Sequence, residues 1–165
     1  MIISDLLKKT AFILCLLLTA CGNEDDALTA FNAGNYDRAF ELWKARAENG
    51  DIIAQNYLAI HYRLGLGVKA DLQEAVRWYE SAAKQGNPDA QKNLGMLYIS
   101  HKLGNPNFEE AYIWLFAAYQ QGNDNAAKGL ETISGQLSPN RVQLLKQKSL
   151  QDIVNDVVDP ENDDF

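Results

Sequence analysis

The chain is short of the residues from which most reactive sites are built. Its only cysteines, Cys15 and Cys21, lie near the N-terminus, and nothing after residue 21 is cysteine. The rest of the chain therefore has no disulfide framework, no cysteine nucleophile and no cysteine-ligated metal site. Histidine is almost as scarce: His61 and His101 are the only two, and neither has a second ligand at metal-binding spacing. Basic charge is also short. Lysine and arginine number 15 against 22 acids, for a formal charge of −7, and Lys92, Lys128, Lys146 and Lys148 are scattered among acids. A phosphate backbone calls for a basic footprint, so nucleic acid is not an expected partner. The glycines at 65 and 67 follow no strand and precede no Lys-Ser/Thr, which makes them a turn and not a phosphate loop. Glu109 and Glu110 are adjacent, so they do not share a helix face; they suit the solvated first turn of a helix. No catalytic constellation and no cofactor is expected.

What is present begins with an export signal. Lys8 and Lys9 precede a short apolar core, residues 11–18 (AFILCLLL), and then Thr19, Ala20 and Cys21. That core matches a signal peptide and falls short of the ~20 apolar residues of a spanning helix. Leu18-Thr19-Ala20-Cys21 resembles the lipobox of bacterial lipoproteins. The resemblance implies a diacylglyceryl group on the Cys21 sulfur, cleavage before Cys21, and a membrane anchor facing the periplasm. Gly22 in the next position implies sorting to the outer membrane. An ordinary cleaved signal with Cys21 as an incidental small residue is the alternative. On this reading residues 1–20 are signal and 21–26 a polar tether.

The mature chain repeats itself. Residues 36–54, 72–90 and 108–126 align without gaps, placing Ala39, Ala75 and Ala111 at one fixed spacing of 36, as are Gly50, Gly86 and Gly122, and Ala54, Ala90 and Ala126. Leu58, Leu94 and Leu130 keep the register; Tyr62 and Tyr98 match in two copies, and the third has Ser134. Repetition at this period indicates stacked supersecondary units. Each unit reads as two helices. Asp71 and Glu74 form a capping box; Ala75, Trp78, Tyr79 and Ala82 make an amphipathic stripe; Gly86 ends the helix and Pro88 opens the next. By this spacing Trp78, Tyr79 and Trp114 are core. Small residues at Ala59 and Gly95 let helix backbones approach. A last helix over 138–157 starts at Ser138 and Pro139, carries Leu144, Leu145 and Ile153, and caps the stack; residues 158–165 are an acidic tail.

The stretch 54–90 reads A-x3-L-A-x2-Y-x2-G-x-G-V-x2-D-x3-A-x2-W-Y-x2-A-A-x2-G-x3-A, with Gly65-Leu66-Gly67-Val68 between its helices. It is similar to the Sel-1-like repeat, a relative of the tetratricopeptide repeat. The copy at 90–126 has residues 101–106 (HKLGNP) in place of the glycine loop, and the unit around Ala33-Gly34-Asn35-Tyr36-Asp37 looks like an ordinary tetratricopeptide turn. The resemblance covers residues 27–134 and implies an all-α solenoid. Some Sel-1-like proteins are cysteine-rich, with β-lactamase or penicillin-binding activity, and carry a cysteine pair in each repeat that this chain lacks.

The expected function is a binding scaffold whose groove is lined by the first helix of each pair: Ile53, Asn56, Ile60 and Arg63, then Asp89, Lys92, Met96 and Ile99. Its partner would be a protein or peptide of the cell envelope. Ile53, Ile60, Met96 and Ile99 could instead simply pack between helices. Alanine at Asn56 or Lys92 is expected to leave the fold intact and weaken capture. A peptidoglycan-binding or cell-wall-modifying protein, and a periplasmic immunity protein, are the alternatives.

Overall fold

Helices start here on side chains that can satisfy the free amides of a first turn. Asn35 accepts from Arg38 N (3.3 Å), Asp51 from Ala54 N (2.9 Å), Asp71 from Glu74 N (3.1 Å), Asn87 from Ala90 N (2.8 Å) and Asn107 from Glu110 N (3.2 Å). The structure, a computed structural model, describes residues 24–158. In chain order the helices are α1 (Glu24–Asn32), α2 (Tyr36–Glu48), α3 (Ile52–Leu64), α4 (Leu72–Lys84), α5 (Pro88–Ile99), α6 (Phe108–Gln120), α7 (Asp124–Ile133) and α8 (Pro139–Val158), with a 3-10 turn at His101–Leu103. Cys21 and the acidic tail from Asp159 lie outside the described residues. Residues 24–26, expected in the tether, already belong to α1.

Successive helices pair antiparallel and stack into an all-helical solenoid, and the repeated alanines are what let them approach. Ala39, Ala75 and Ala111 are fully buried, and so are Ala54, Ala90 and Ala126. Around them three cores succeed one another along the stack. Trp43 and Leu58 fill the first, Tyr79 and Leu94 the second, and Leu115 and Ile133 the third. Removing such a side chain from water contributes about 1.5–3 kcal/mol. Helices α5 and α6 come close at Gly95, where a Cβ would stand 2.6 Å from Leu115 Cγ and 3.1 Å from the Ala111 carbonyl.

The two longest interhelical loops, residues 65–71 and 100–107, differ in sequence and close alike. After α3, Gly65 and Gly67 take positive φ values of 70° and 66°. The loop then lies on the start of α2, so tightly that a Cβ on Gly67 would sit 2.3 Å from Tyr36 O. It returns with Asp71 N donating to Tyr62 O at 2.9 Å. After α5 the 3-10 turn replaces the glycine loop, yet Asn107 N donates to Tyr98 O at the same 2.9 Å.

The last helix departs from the repeat. Ser138 Oγ accepts from Arg141 N at 3.3 Å, as expected of its cap. Helix α8 lays Val142 and Leu145 on the core around α6, and Leu144 stays half exposed on the other side. Arg141 grips Glu109 with two donors, Nε to Oε1 at 2.7 Å and Nη2 to Oε2. Glu109 stands in the solvated first turn of α6 as expected, and this exposed ion pair also links it to α8. Among the described residues no helix is long and apolar enough to cross a membrane.

Candidate protein-binding face

Helices α3, α5 and α7 are the first members of their pairs and share one face of the stack. The expected groove residues divide there into three groups. Ile53 and Met96 are exposed at 47% and 43%, and Lys92 is half-buried. Ile60 and Ile99 pack into the second and third cores. The remaining three are polar and tie helices together, Arg63 within one repeat and Asn56 and Asp89 between successive pairs. Asn56 accepts from Asn93 Nδ2 at 3.2 Å, Arg63 Nε donates to Tyr79 OH at 3.1 Å, and Asp89 accepts from Asn123 Nδ2 at 3.0 Å.

Asn56 differs from expectation. It is only 8% exposed, because Asn93 of the next repeat covers it. Alanine there would leave the Asn93 amide without its acceptor, so Asn56→Ala tests the fold as well as the face. Lys92 remains a clean probe.

The face also carries a cleft of about 230 Å³ between the C-terminal ends of α3 and α5, lined by Arg63, Asn93, Met96, Leu97, Ser100 and Lys102. Two lining residues, Arg63 and Met96, are at expected groove positions; Lys102 comes from the turn that replaces the glycine loop, which is why helix periodicity did not single it out. A wider cleft of about 580 Å³ opens where α8 swings away from α7, with Tyr112 and Leu130 among its walls.

Behind the face runs a ladder of amides that sequence reasoning missed. Gln55, 4% exposed, donates to Ala47 O at 3.4 Å and accepts from Ser81 Oγ at 3.0 Å and Gln85 Nε2 at 2.8 Å. Gln91, 3% exposed, donates to Ala83 O at 3.0 Å and accepts from Gln121 Nε2 at 2.7 Å. The pattern shifts by 36 residues and makes α3 a polar rivet between α2 and α4, and α5 a rivet between α4 and α6. The signal was present, since Gln55 and Gln91 follow repeated alanines at the repeat spacing.

His61 is fully buried. Its Nδ1 lies 2.6 Å from Leu66 O and so donates to it, while Nε2 has no hydrogen-bond partner among the described residues. The rings of Phe31 and Phe40 stand 5.6 and 6.0 Å away. Burial lowers the imidazole pKa below its ordinary 6.5, against the opposing pull of the Leu66 carbonyl. His61 is a neutral core residue tying the glycine loop to α3. Tyr98 donates to Glu80 at 3.0 Å; burial first, and then that carboxylate, push its phenol far above the usual range. It too is a structural donor, joining α5 to α4. Among the described residues no group of three or more His, Cys, Asp or Glu could hold a metal ion.

Comparison with known proteins places this architecture. The Sel1 repeat family matches in three consecutive units, residues 33–51, 52–87 and 88–123. The sel1-like repeat-containing protein L21 of Acanthamoeba polyphaga mimivirus is 36% identical over 62 residues, 38% of this chain and 12% of that protein. DAP3-binding cell death enhancer 1 of Rattus norvegicus is 45% identical over 57 residues, 34% of this chain and 11% of that protein. The chain thus spans about a tenth of the length of these curated relatives. Among solved structures, a Sel1 repeat protein from Oxalobacter formigenes superposes with a TM-score of 0.61 at 28% identity, covering 79% of this chain and 55% of that one. A protective antigen of uropathogenic Escherichia coli strains, displaying an SLR fold, superposes with a TM-score of 0.71 at 24% identity over 79% of this chain and 30% of that one, a likeness of fold. With three consecutive units matched over more than half of its length, the chain belongs to the Sel1 repeat family.

Proposed function

We propose that this chain is a lipid-anchored scaffold that captures a protein partner in the cell envelope, on the periplasmic side. Sel1 repeat proteins generally mediate protein–protein interaction and are generally not enzymes. The observation that carries the reading is the division of labour on the shared face. Asn56, Arg63 and Asp89 are engaged in joining helices of the stack, while Ile53 and Met96 stay exposed on the frame so formed. Exposed apolar side chains on a preorganised surface, rimmed by polar groups, favour association. A relative that is named for binding the protein DAP3 supports a protein as the partner class. The anchor half rests on the lipobox-like Leu18-Thr19-Ala20-Cys21, with Gly22 favouring the outer membrane. Two or more acyl chains give stable attachment where one gives only marginal binding.

Chemical crosslinking in intact cells followed by mass spectrometry, on the wild-type chain and Cys21→Ala, tests both halves. The wild type is expected to crosslink one or a few envelope proteins, and Cys21→Ala to leave the membrane fraction. No reproducible crosslinked protein contradicts the scaffold; unchanged fractionation of Cys21→Ala contradicts the anchor.

A further inference from the structure

We infer that the cleft between the ends of α3 and α5 receives an acidic side chain, aspartate or glutamate, of a bound peptide segment, with an apolar neighbour of that side chain resting on Met96. The inference deepens the scaffold reading and rests on it. The cleft is lined by two cations, Arg63 and Lys102, and by no carboxylate, in a chain whose formal charge is −7. Such a rim runs against the charge of the whole molecule, and complementary charge is what orients and selects a partner.

Its donors are held in place. Arg63 Nε is fixed on Tyr79 OH at 3.1 Å, and Tyr79 is fully buried, so the guanidinium is preorganised. The other guanidinium N–H groups have no acceptor among the described residues, and a planar fork of that kind matches a carboxylate. Asn93 is steadied by its bond to Asn56 and has a second amide hydrogen to give. Lys92 stands one helical turn before Met96, without an ion-pair partner among the described residues, and adds to the positive field. The apolar part of the site is Leu97 and the 43% exposed Met96.

Size narrows the occupant. About 230 Å³ is below the usual range of small-molecule pockets, roughly 300–1,000 Å³, and suits one or two side chains. A phosphate polymer would need a track of cations beyond these few.

A peptide array tests this, with both termini of every peptide blocked. One series carries a single glutamate among varied apolar residues, and its twin carries glutamine. The purified full chain in mild detergent is expected to be retained about tenfold better by the glutamate series, with the gap shrinking in high salt. Lys102→Gln and Arg63→Gln should close the gap, with folding followed by circular dichroism, whereas Lys84→Gln on α4 should preserve it. Equal retention of the two series overturns the inference, as does a gap that survives both substitutions. Retention of neither series overturns it too; the scaffold reading then falls only if in-cell crosslinking is also empty.

Discussion

Gln121 donates its side-chain amide to Gln91 across 2.7 Å, and 36 residues earlier Gln85 does the same to Gln55 across 2.8 Å. Each acceptor glutamine also reaches back to a carbonyl in the last turn of the preceding pair, Ala83 for Gln91 and Ala47 for Gln55. Last-turn carbonyls have no partner further along their own helix. Ala47 O and Ala83 O already accept from Gly50 N and Gly86 N, so Gln55 and Gln91 each add a second donor to the helix end behind and an acceptor for the side chain ahead. Apolar contact alone would allow neighbouring pairs to slide or rotate; this ladder sets their register.

Gln91→Ala should accordingly destabilise the chain by about 1–3 kcal/mol, since it removes both hydrogen bonds of a buried amide, to Ala83 O and from Gln121. Gln121→Ala, at an exposed position, should cost clearly less. Urea unfolding followed by circular dichroism checks both. Equal, small losses for the two would show that the ladder is incidental.

Gly67→Ala should be more damaging than Gly50→Ala. Both positions have positive φ, 66° and 87°, but a Cβ at 67 would meet Tyr36 O at 2.3 Å, whereas at 50 nothing lies within 4 Å. Gly50→Ala should cost about 1 kcal/mol for the backbone conformation alone, and Gly67→Ala at least about twice that. Thermal melts of the two variants read the difference directly.

Stability should fall on acidification below about pH 6.5 through His61. Its folded pKa is depressed below the ordinary 6.5, so the unfolded chain binds the proton first. The contribution is complete above the unfolded value and is lost as the pH falls toward the folded one. His61→Asn should be less stable at neutral pH but show a flatter profile as the pH falls below about 6.5. An unchanged slope in that window would contradict the buried, neutral imidazole.

Cys21→Ala should abolish metabolic labelling by an alkyne fatty acid, because the lipobox-like segment offers one thiol at the cleavage point. Labelling that persists in the variant rules out Cys21 as the attachment site.

The repeat was legible because its core positions are small or apolar and recur without gaps. Ala39, Ala75 and Ala111 all proved fully buried, and Gly50, Gly86 and Gly122 all end their turns at φ between 84° and 88°. Leu58 and Leu94 are fully buried too, while Leu130 is only half-buried, since α8 packs on α6 and leaves one side of α7 uncovered. The glutamines were not legible. A polar residue in a helix reads as surface until a neighbouring helix end supplies a carbonyl to bury it. Asn56 was misplaced for the same reason, its cover being Asn93 in the next repeat. The Glu109–Arg141 grip joins residues 32 apart, off the repeat spacing, and no periodicity could have paired them. At the binding face the helix positions were legible, but the cleft needed the turn carrying Lys102, which departs from the repeat sequence.

The most direct test of the scaffold places a photocrosslinking amino acid at position 96 and, as a control, at position 77 on α4, where the Arg77 side chain is 68% exposed. Irradiation of intact cells is predicted to give a discrete protein adduct from position 96 and none of that size from position 77. No adduct from position 96, or the same adducts from both positions, would contradict the shared face of α3 and α5 as the partner-binding surface.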